Sequence, residues 1–285
     1  MIGLADAAGV VLAGGRSSRM GRPKAALEWH GSTLLHRTTA LVARTVGGPV
    51  LVVAAPGQDL PELPPQVEVV ADPVEGQGPM RGLATGLAAL AERAPMAFVC
   101  STDLPFLHPA LIRRVLRGFA DSEVDVVLPV ARGYRQPLAA GYRTALAGLV
   151  EKLLDEGDLR PGMLFRHCRV AQLDDAALLA EPELARHDPG LDSLVNVNEP
   201  GDYAAALARP EPEVVVERFG ALAGGGRRGS RLVRAASLGA AAAAVGMTLD
   251  RHIVAAVNGD QMTRDARLPL VTGDTVAFLS ADAGG

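Results

Sequence analysis

GVVLAGGRSSRMGRPK, residues Gly9 to Lys24, decides how the first two hundred residues are read. Val10, Val11 and Leu12 form an apolar run of the kind that makes a buried strand, and the run meets Gly14 and Gly15. A loop carrying Arg16, Arg19, Arg22 and Lys24 follows. Glycine lets the backbone approach a ligand where a Cβ would obstruct it, so such a strand end offers N–H groups and cations to an anion. A glycine pair alone marks a turn as readily as a ligand loop. The cations shift that balance towards a polyphosphate. The spacing from Gly15 to Gly21 and Lys24 does not fit GxxxxGK[ST], and the stretch holds no GxGxxG, so a phosphate loop of another type is expected.

Downstream, residues 32–46 carry Leu34, Leu35, Leu41, Val42 and Val46 on a helical period, with Ser32 or Thr33 as the N-cap. Residues 49–55 and 67–71 are short apolar runs expected to be strands covered on both faces. Residues 76–82 (GQGPMRG) read as turn material before a helix over 83–93. Residues 97–101 read as a strand with Thr102-Asp103-Leu104-Pro105 at its carboxyl end. A helix over 109–120 begins with proline. Strands at 124–130 and 137–143 and a helix at 144–156 complete the alternation. The pattern predicts an α/β fold, a three-layer Rossmann-like arrangement around a mainly parallel sheet. Ligands of such sheets bind beyond the carboxyl ends of the strands. Gly14-Gly15, Asp72 and Asp103 all fall at such ends.

Residues 159–192 read as an irregular subdomain. In Val195-Asn196-Val197-Asn198 the two amides alternate with valines and share one face of an extended stretch; the pattern also suits a turn-forming amide pair. A short helix spans 200–208. Prolines at 210 and 212 then disfavour helix and sheet, which sets the expected division: residues 1–208, a linker at 209–213, and residues 214–285. The last part reads as strands at 213–219, 231–235, 253–257 and 275–280, a helix at 240–247 and a turn at Asn258-Gly259.

Hydrophobic residues make up 48% of the chain and aromatic ones only 4%, so its cores must be built from Ala, Val and Leu. The formal charge of −4, with both signs spread throughout, argues against a general nucleic-acid or membrane binder. No apolar stretch reaches the roughly 18–20 residues that span a bilayer, and no signal-like segment opens the chain. A cytoplasmic protein is expected, with Cys100 and Cys168 reduced. His30, His36 and His108 lack metal-ligand spacing and read as surface or helix residues. His167 and Cys168 have no third partner for a nucleophilic role.

The stretch from Leu12 to Lys24 resembles the signature of the nucleotidyltransferases that include molybdenum cofactor guanylyltransferase. The resemblance extends in order to GPMRGL (78–83), STDLPFL (101–107), QPLAAGYR (136–143) and VNVNEP (195–200), and so covers about the first 208 residues. It implies transfer of GMP from GTP to molybdopterin with release of pyrophosphate and with Mg²⁺ bound. It implies nucleotide contacts from Leu12, Ala13, Gly14, Gly15, Lys24, Asp72 and Asp103. It also implies acceptor contacts from Gly78, Gly82, Asn196 and Asn198. The chemistry agrees: phosphoryl charge must be neutralised, which suits Arg19 and Lys24, and Asp103 is a hard oxygen ligand for Mg²⁺. The second strand reads VVAAP, where related guanylyltransferases often carry asparagine, and Pro23 also occurs in related cytidylyltransferases. A cytidylyltransferase, a transferase acting on a sugar phosphate and a non-catalytic nucleotide-binding carrier or scaffold are therefore the alternatives.

Residues 214–224, 254–262 and 273–285 resemble a second family, the small α+β β-grasp (ubiquitin-like) sulfur carriers of the MoaD/ThiS type. That resemblance implies a thiocarboxylate at the Gly284-Gly285 end. It implies as partners a MoaE-like synthase subunit and an adenylating E1-like enzyme. A β-grasp module that only docks a partner is the plainer alternative.

Overall fold

The structure is a computed structural model, and it describes residues 4–14, 20–21, 23–74, 77–120, 123–219 and 229–280. Contacts divide the chain into two compact units, Met1–Glu28 with Thr33–Tyr203, and Trp29–Ser32 with Ala204–Gly285.

In chain order up to Leu207 the strands are β1 (Ala7–Leu12), β2 (Glu28–Trp29), β3 (Ser32–Thr33), β4 (Val50–Ala54), β5 (Val67–Ala71), β6 (Met96–Ser101), β7 (Val126–Ala131), β8 (Tyr134–Arg135), β9 (Ala139–Arg143) and β10 (Val170–Leu173). The short pair β2–β3 stands apart as its own ladder. The helices are α1 (Leu34–Ala43), α2 (Gly78–Leu90), α3 (Pro109–Arg117), α4 (Ala147–Asp155), α5 (Pro161–Leu164), α6 (Asp175–Leu179), α7 (Pro182–His187) and α8 (Pro200–Leu207).

The main sheet has the order β10-β7-β9-β6-β1-β4-β5, with β8 paired to β7. The β1–β4, β1–β6, β4–β5 and β7–β10 pairs are parallel, and β9 runs against both β6 and β7. Six strands of the path thus share one direction, as the alternating pattern predicts, and β9 is the exception. Every residue of β1 and β4 is buried, in keeping with their unbroken apolar runs. One face carries α2 and α4: Met80, Leu83, Leu87 and Leu90 pack with Val10, Leu51, Val99, Val150 and Leu153. Helix α1 contacts β1 and β4, and helix α3 contacts β6, β7 and β9. Thr33 caps α1, its hydroxyl accepting from the His36 N–H at 3.2 Å.

Three expectations need correction. Helix α2 begins at Gly78, not after a turn ending at Gly82. Pro79 suits a first helical turn, and a helix this close to β1 requires small residues. A Cβ on Gly82 would stand 3.1 Å from Leu12 Cδ2, and one on Gly86 2.6 Å from Val10 Cγ1. Strand β5 is not covered on both faces: it is the sheet edge, and Val69 is 54% exposed. Residues 159–192 are not wholly irregular, since they hold β10 and the short helices α5 to α7.

The second unit has β11 (Glu213–Arg218), β12 (Arg231–Arg234), helix α9 (Leu238–Ala244), β13 (Ile253–Val257), β14 (Gln261–Thr263) and β15 (Thr275–Ser280). The sheet order is β12-β11-β15-β13-β14, with β11 and β15 parallel in the middle and the other pairs antiparallel. Strand β14 was not expected; it pairs back through the predicted turn, where Asn258 and Gly259 have φ of 55° and 80°. Val214, Val216, Leu238, Ala241, Ala242, Val276 and Phe278 form a core belonging to this unit alone. Buried Asp274 fixes the turns, accepting from Asn258 Nδ2 and the Val271 N–H, each at 2.8 Å. Among the described residues no helix is long and apolar enough to cross a membrane.

Candidate active site

The parallel register sets the site. Leu12 lies beside Val53 and Ser101, and Ala54 beside Ala71. Ala13-Gly14, Ala55, Asp72 and Asp103 therefore all leave the sheet at one edge, the carboxyl edge on which such folds bind ligands.

At this edge three residues far apart in sequence meet. Lys24 Nζ donates to Asp103 Oδ2 and to Asn198 Oδ1, both at 2.9 Å. The lysine and aspartate side chains are only 20% and 17% exposed, so their charges are partly shielded from water. Ser101 at the end of β6 donates its hydroxyl to Asp103 Oδ1. The Val197 N–H donates to the Asp103 carbonyl at 2.9 Å, which draws the asparagine strand onto the loop after β6. Val197 is buried while Asn196 and Asn198 are exposed, so the two amides share a face as their alternation predicts. Asp202, in the first turn of α8, reaches back to accept from the Asn198 and Glu199 N–H groups at 3.0 Å each.

Behind this cluster lies a buried polar connection. Asp188 accepts from the N–H groups of Asp192 and Ser193 at 2.7 and 2.9 Å. Ser193, with no exposed surface, accepts from the His108 N–H at 3.1 Å and donates to the Phe106 carbonyl. The segment bearing Asn196 and Asn198 is thereby tied to the one bearing Asp103.

Asp72 follows β5, its N–H donating to the Ala54 carbonyl at 2.8 Å and its Oδ1 accepting from Thr85 Oγ1 at 3.3 Å. Burial pushes its carboxyl above the ordinary aspartate range, against the opposing pull of the Val74 N–H, the Thr85 hydroxyl and Arg81. Gly78 opens α2 at φ +68°, and Gly82 is buried against Leu12. Arg81, in the same motif, is held by Gln77 at 2.8 Å and Glu151 at 2.5 Å. Gly15 and Arg19 lie outside the described residues, as do Gly284 and Gly285.

The cysteines are free: burial drives the Cys100 thiol far up, and the half-buried Cys168 to about 11. His36 and His108 are buried rather than on the surface, one within α1 and the other capping α3. Sequence reasoning passed over Ser101, Ser193 and Asp202. Only Asp202 left a signal, an acid in the first turn after Asn-Glu-Pro.

A profile of the MobA-like NTP transferase domain matches residues 9–172. The chain belongs to the MobA-like NTP transferase family. As a member it is a nucleotidyltransferase. Its relatives include a protein of Mycobacterium tuberculosis named probable molybdenum cofactor guanylyltransferase, 44% identical over 164 residues, which cover 55% of this chain and 78% of the relative. A protein of the same name from Mycobacterium avium is 41% identical over 153 residues, covering 53% and 76%. Among solved structures, molybdopterin-guanine dinucleotide biosynthesis protein A from Archaeoglobus fulgidus aligns with a TM-score of 0.56 at 20% identity, over 70% of this chain and 96% of that one. A 4-diphosphocytidyl-2C-methyl-D-erythritol synthase from Anaerococcus prevotii aligns at 0.51 and 13% identity, over 71% and 94%. At these identities the likeness is one of fold. The first unit of this MobA-like chain accordingly has the mixed α/β Rossmann-like fold with a largely parallel sheet.

Proposed function

We propose that the first unit transfers GMP from GTP to molybdopterin, forming the guanine dinucleotide cofactor and releasing pyrophosphate. The observation that carries this is the meeting of Lys24, Asp103 and Asn198 at the carboxyl edge, in a chain 44% identical to relatives named for that reaction. A terminal phosphate oxygen of the acceptor bonds to the α-phosphorus of GTP. The bond from that phosphorus to the bridging oxygen breaks, and pyrophosphate departs with the electron pair. Lys24 offsets charge on the phosphates, with Arg19 assigned the same task. Leu12, Ala13, Gly14, Gly15 and Asp72 line the nucleotide, and Gly78, Gly82, Asn196 and Asn198 the acceptor. Lys24 bridges the two sides through its bonds to Asp103 and Asn198.

Among the described residues no group of three or more His, Cys, Asp or Glu is placed to hold a metal. A lone carboxylate such as Asp103 nonetheless suits Mg²⁺, which keeps waters and takes its other ligands from substrate phosphates. When bound there it would supply charge neutralisation at the α-phosphate and the leaving pyrophosphate.

Purified protein is to be given molybdopterin, Mg²⁺ and each NTP in turn, with the products identified. GTP should give the guanine dinucleotide, and Lys24→Ala and Asp103→Ala should each lower turnover by about a hundredfold or more. Wild-type rates in both variants would overturn the site, and a cytidine product the choice of nucleotide.

The second unit is read as a β-grasp carrier that supplies sulfur for molybdopterin synthesis, with a MoaE-like synthase subunit and an adenylating E1-like enzyme as partners. The sheet order β12-β11-β15-β13-β14, with its parallel central pair and the helix α9, supports the β-grasp reading. Given an activating enzyme, ATP and a sulfur donor, the Gly285 carboxyl should show an oxygen-to-sulfur mass change. An unchanged mass with a control carrier converted in parallel would refute it.

A further inference from the structure

Beyond β1 and β4, two backbone groups at the carboxyl edge are held by a single side chain. Gln58 Nε2 donates to the Ala13 carbonyl at 3.0 Å, and Gln58 Oε1 accepts from the Ala55 N–H at 3.1 Å. The partners fix the orientation of the amide, because a carbonyl oxygen must face a donor and an amide nitrogen an acceptor. The turn Ala55-Pro56-Gly57-Gln58 aims it: the Gln58 N–H donates to the Ala55 carbonyl at 3.1 Å, and Gly57 takes φ +68°. The Ala13 and Ala55 side chains are methyl groups, so whatever these positions offer by hydrogen bonding they offer through the backbone.

A primary amide presents an N–H donor beside a C=O acceptor. The N1–H and C6=O edge of guanine presents the same pair at the same spacing. We infer that Gln58 is a built-in stand-in for the nucleobase edge: it occupies the Ala13 carbonyl and the Ala55 N–H in the free enzyme, and the incoming guanine displaces its carboxamide. This rests on the reading above that the nucleotide lies against Leu12, Ala13 and Gly14. Gln58 then sets nucleotide affinity by competition. The base binds only the fraction of molecules in which the amide has swung away, so the apparent dissociation constant exceeds the intrinsic one by the reciprocal of that fraction.

The test is titration of the full chain with GTP and, separately, with inorganic tripolyphosphate, which has no base. Gln58→Ala and Gln58→Met are compared with wild type; methionine keeps the length and apolar stem but cannot make either bond. Both variants should bind GTP about fivefold more tightly, the scale of one net hydrogen bond, with tripolyphosphate affinity unchanged. GTP affinity that is unchanged or weakened in both variants, while wild type binds GTP, would overturn the inference alone. Tightening that appears equally for tripolyphosphate would also overturn it, since the effect would then lie in the phosphate loop. Failure of wild type to bind GTP at all would overturn the parent reading and this one with it.

Discussion

Asp72 stands one residue beyond β5, and burial raises its carboxyl pKa above the unfolded value. The folded chain therefore binds that proton more tightly than the unfolded one. The stability this contributes is fully present below the unfolded carboxylate pKa of about 3.9 and is lost as pH rises through the folded value. Asp72→Asn stays neutral throughout, so it should melt higher than wild type at neutral pH and level with it near about pH 3. Melting curves across that range check this, and a gap that does not change with pH would contradict the burial argument. Gly86 allows a second prediction: with Val10 Cγ1 2.6 Å from any added Cβ, Gly86→Ala should cost about 1–3 kcal/mol by urea unfolding. At this scale the sequence singled out Lys24, Asp103 and the asparagine pair as candidates by their chemical types and motifs, and the structure brings Lys24, Asp103 and Asn198 together. Gln58 and Ser193 were not legible. Both act on backbone groups brought near by the fold, and neither periodicity nor spacing records such partners.

The segment from Asp188 to Asn198 shows what one short connection does for the site. Leu191 takes φ +53°, a region few side chains adopt, and the Asp188 carboxylate ties down the two N–H groups that follow it. Ser193→Ala would leave the buried His108 N–H without the hydroxyl that accepts from it, at a cost of about 1–3 kcal/mol. Because the same segment carries Asn198 to Lys24, turnover should fall with stability, and Ser193→Thr should restore turnover further than Ser193→Ala does. Paired thermal melts and single-turnover assays would read both effects. Element by element, the long apolar strands were legible and the short mixed ones were not. VAQL of β10 and QMT of β14 are too brief and too polar to announce themselves, and their neighbours make them strands. The start of α2 was misread because Gly-Pro signals a turn in isolation, whereas β1 needed small residues facing it.

Each unit has its own hydrophobic core, one around β1, β4, β6, α2 and α4, the other around β11, β15 and α9. Calorimetry of the whole chain should therefore resolve two unfolding transitions, and a stabilising GTP analogue should raise only one of them. A single transition shifted as a whole would show the units to be coupled. The prolines at 210 and 212 predict a division there, whereas contacts divide the chain between Tyr203 and Ala204 and group Trp29–Ser32 with the second unit. The reversed direction of β9 was not legible, since a strand's own residues do not record which way its neighbours run. That reversal bears on how the protein is made. β9 lies between β6 and β7 but follows β7 in the chain. As synthesis proceeds, β1, β4, β5 and β6 can join as soon as they emerge, whereas β7 must wait for β9 before it has a place, and β10 waits on β7. The nascent sheet thus grows in two instalments, with an unfilled edge on β6 between them. Pulse-labelled hydrogen exchange during refolding should find β1, β4 and β6 protected before β7 and β10.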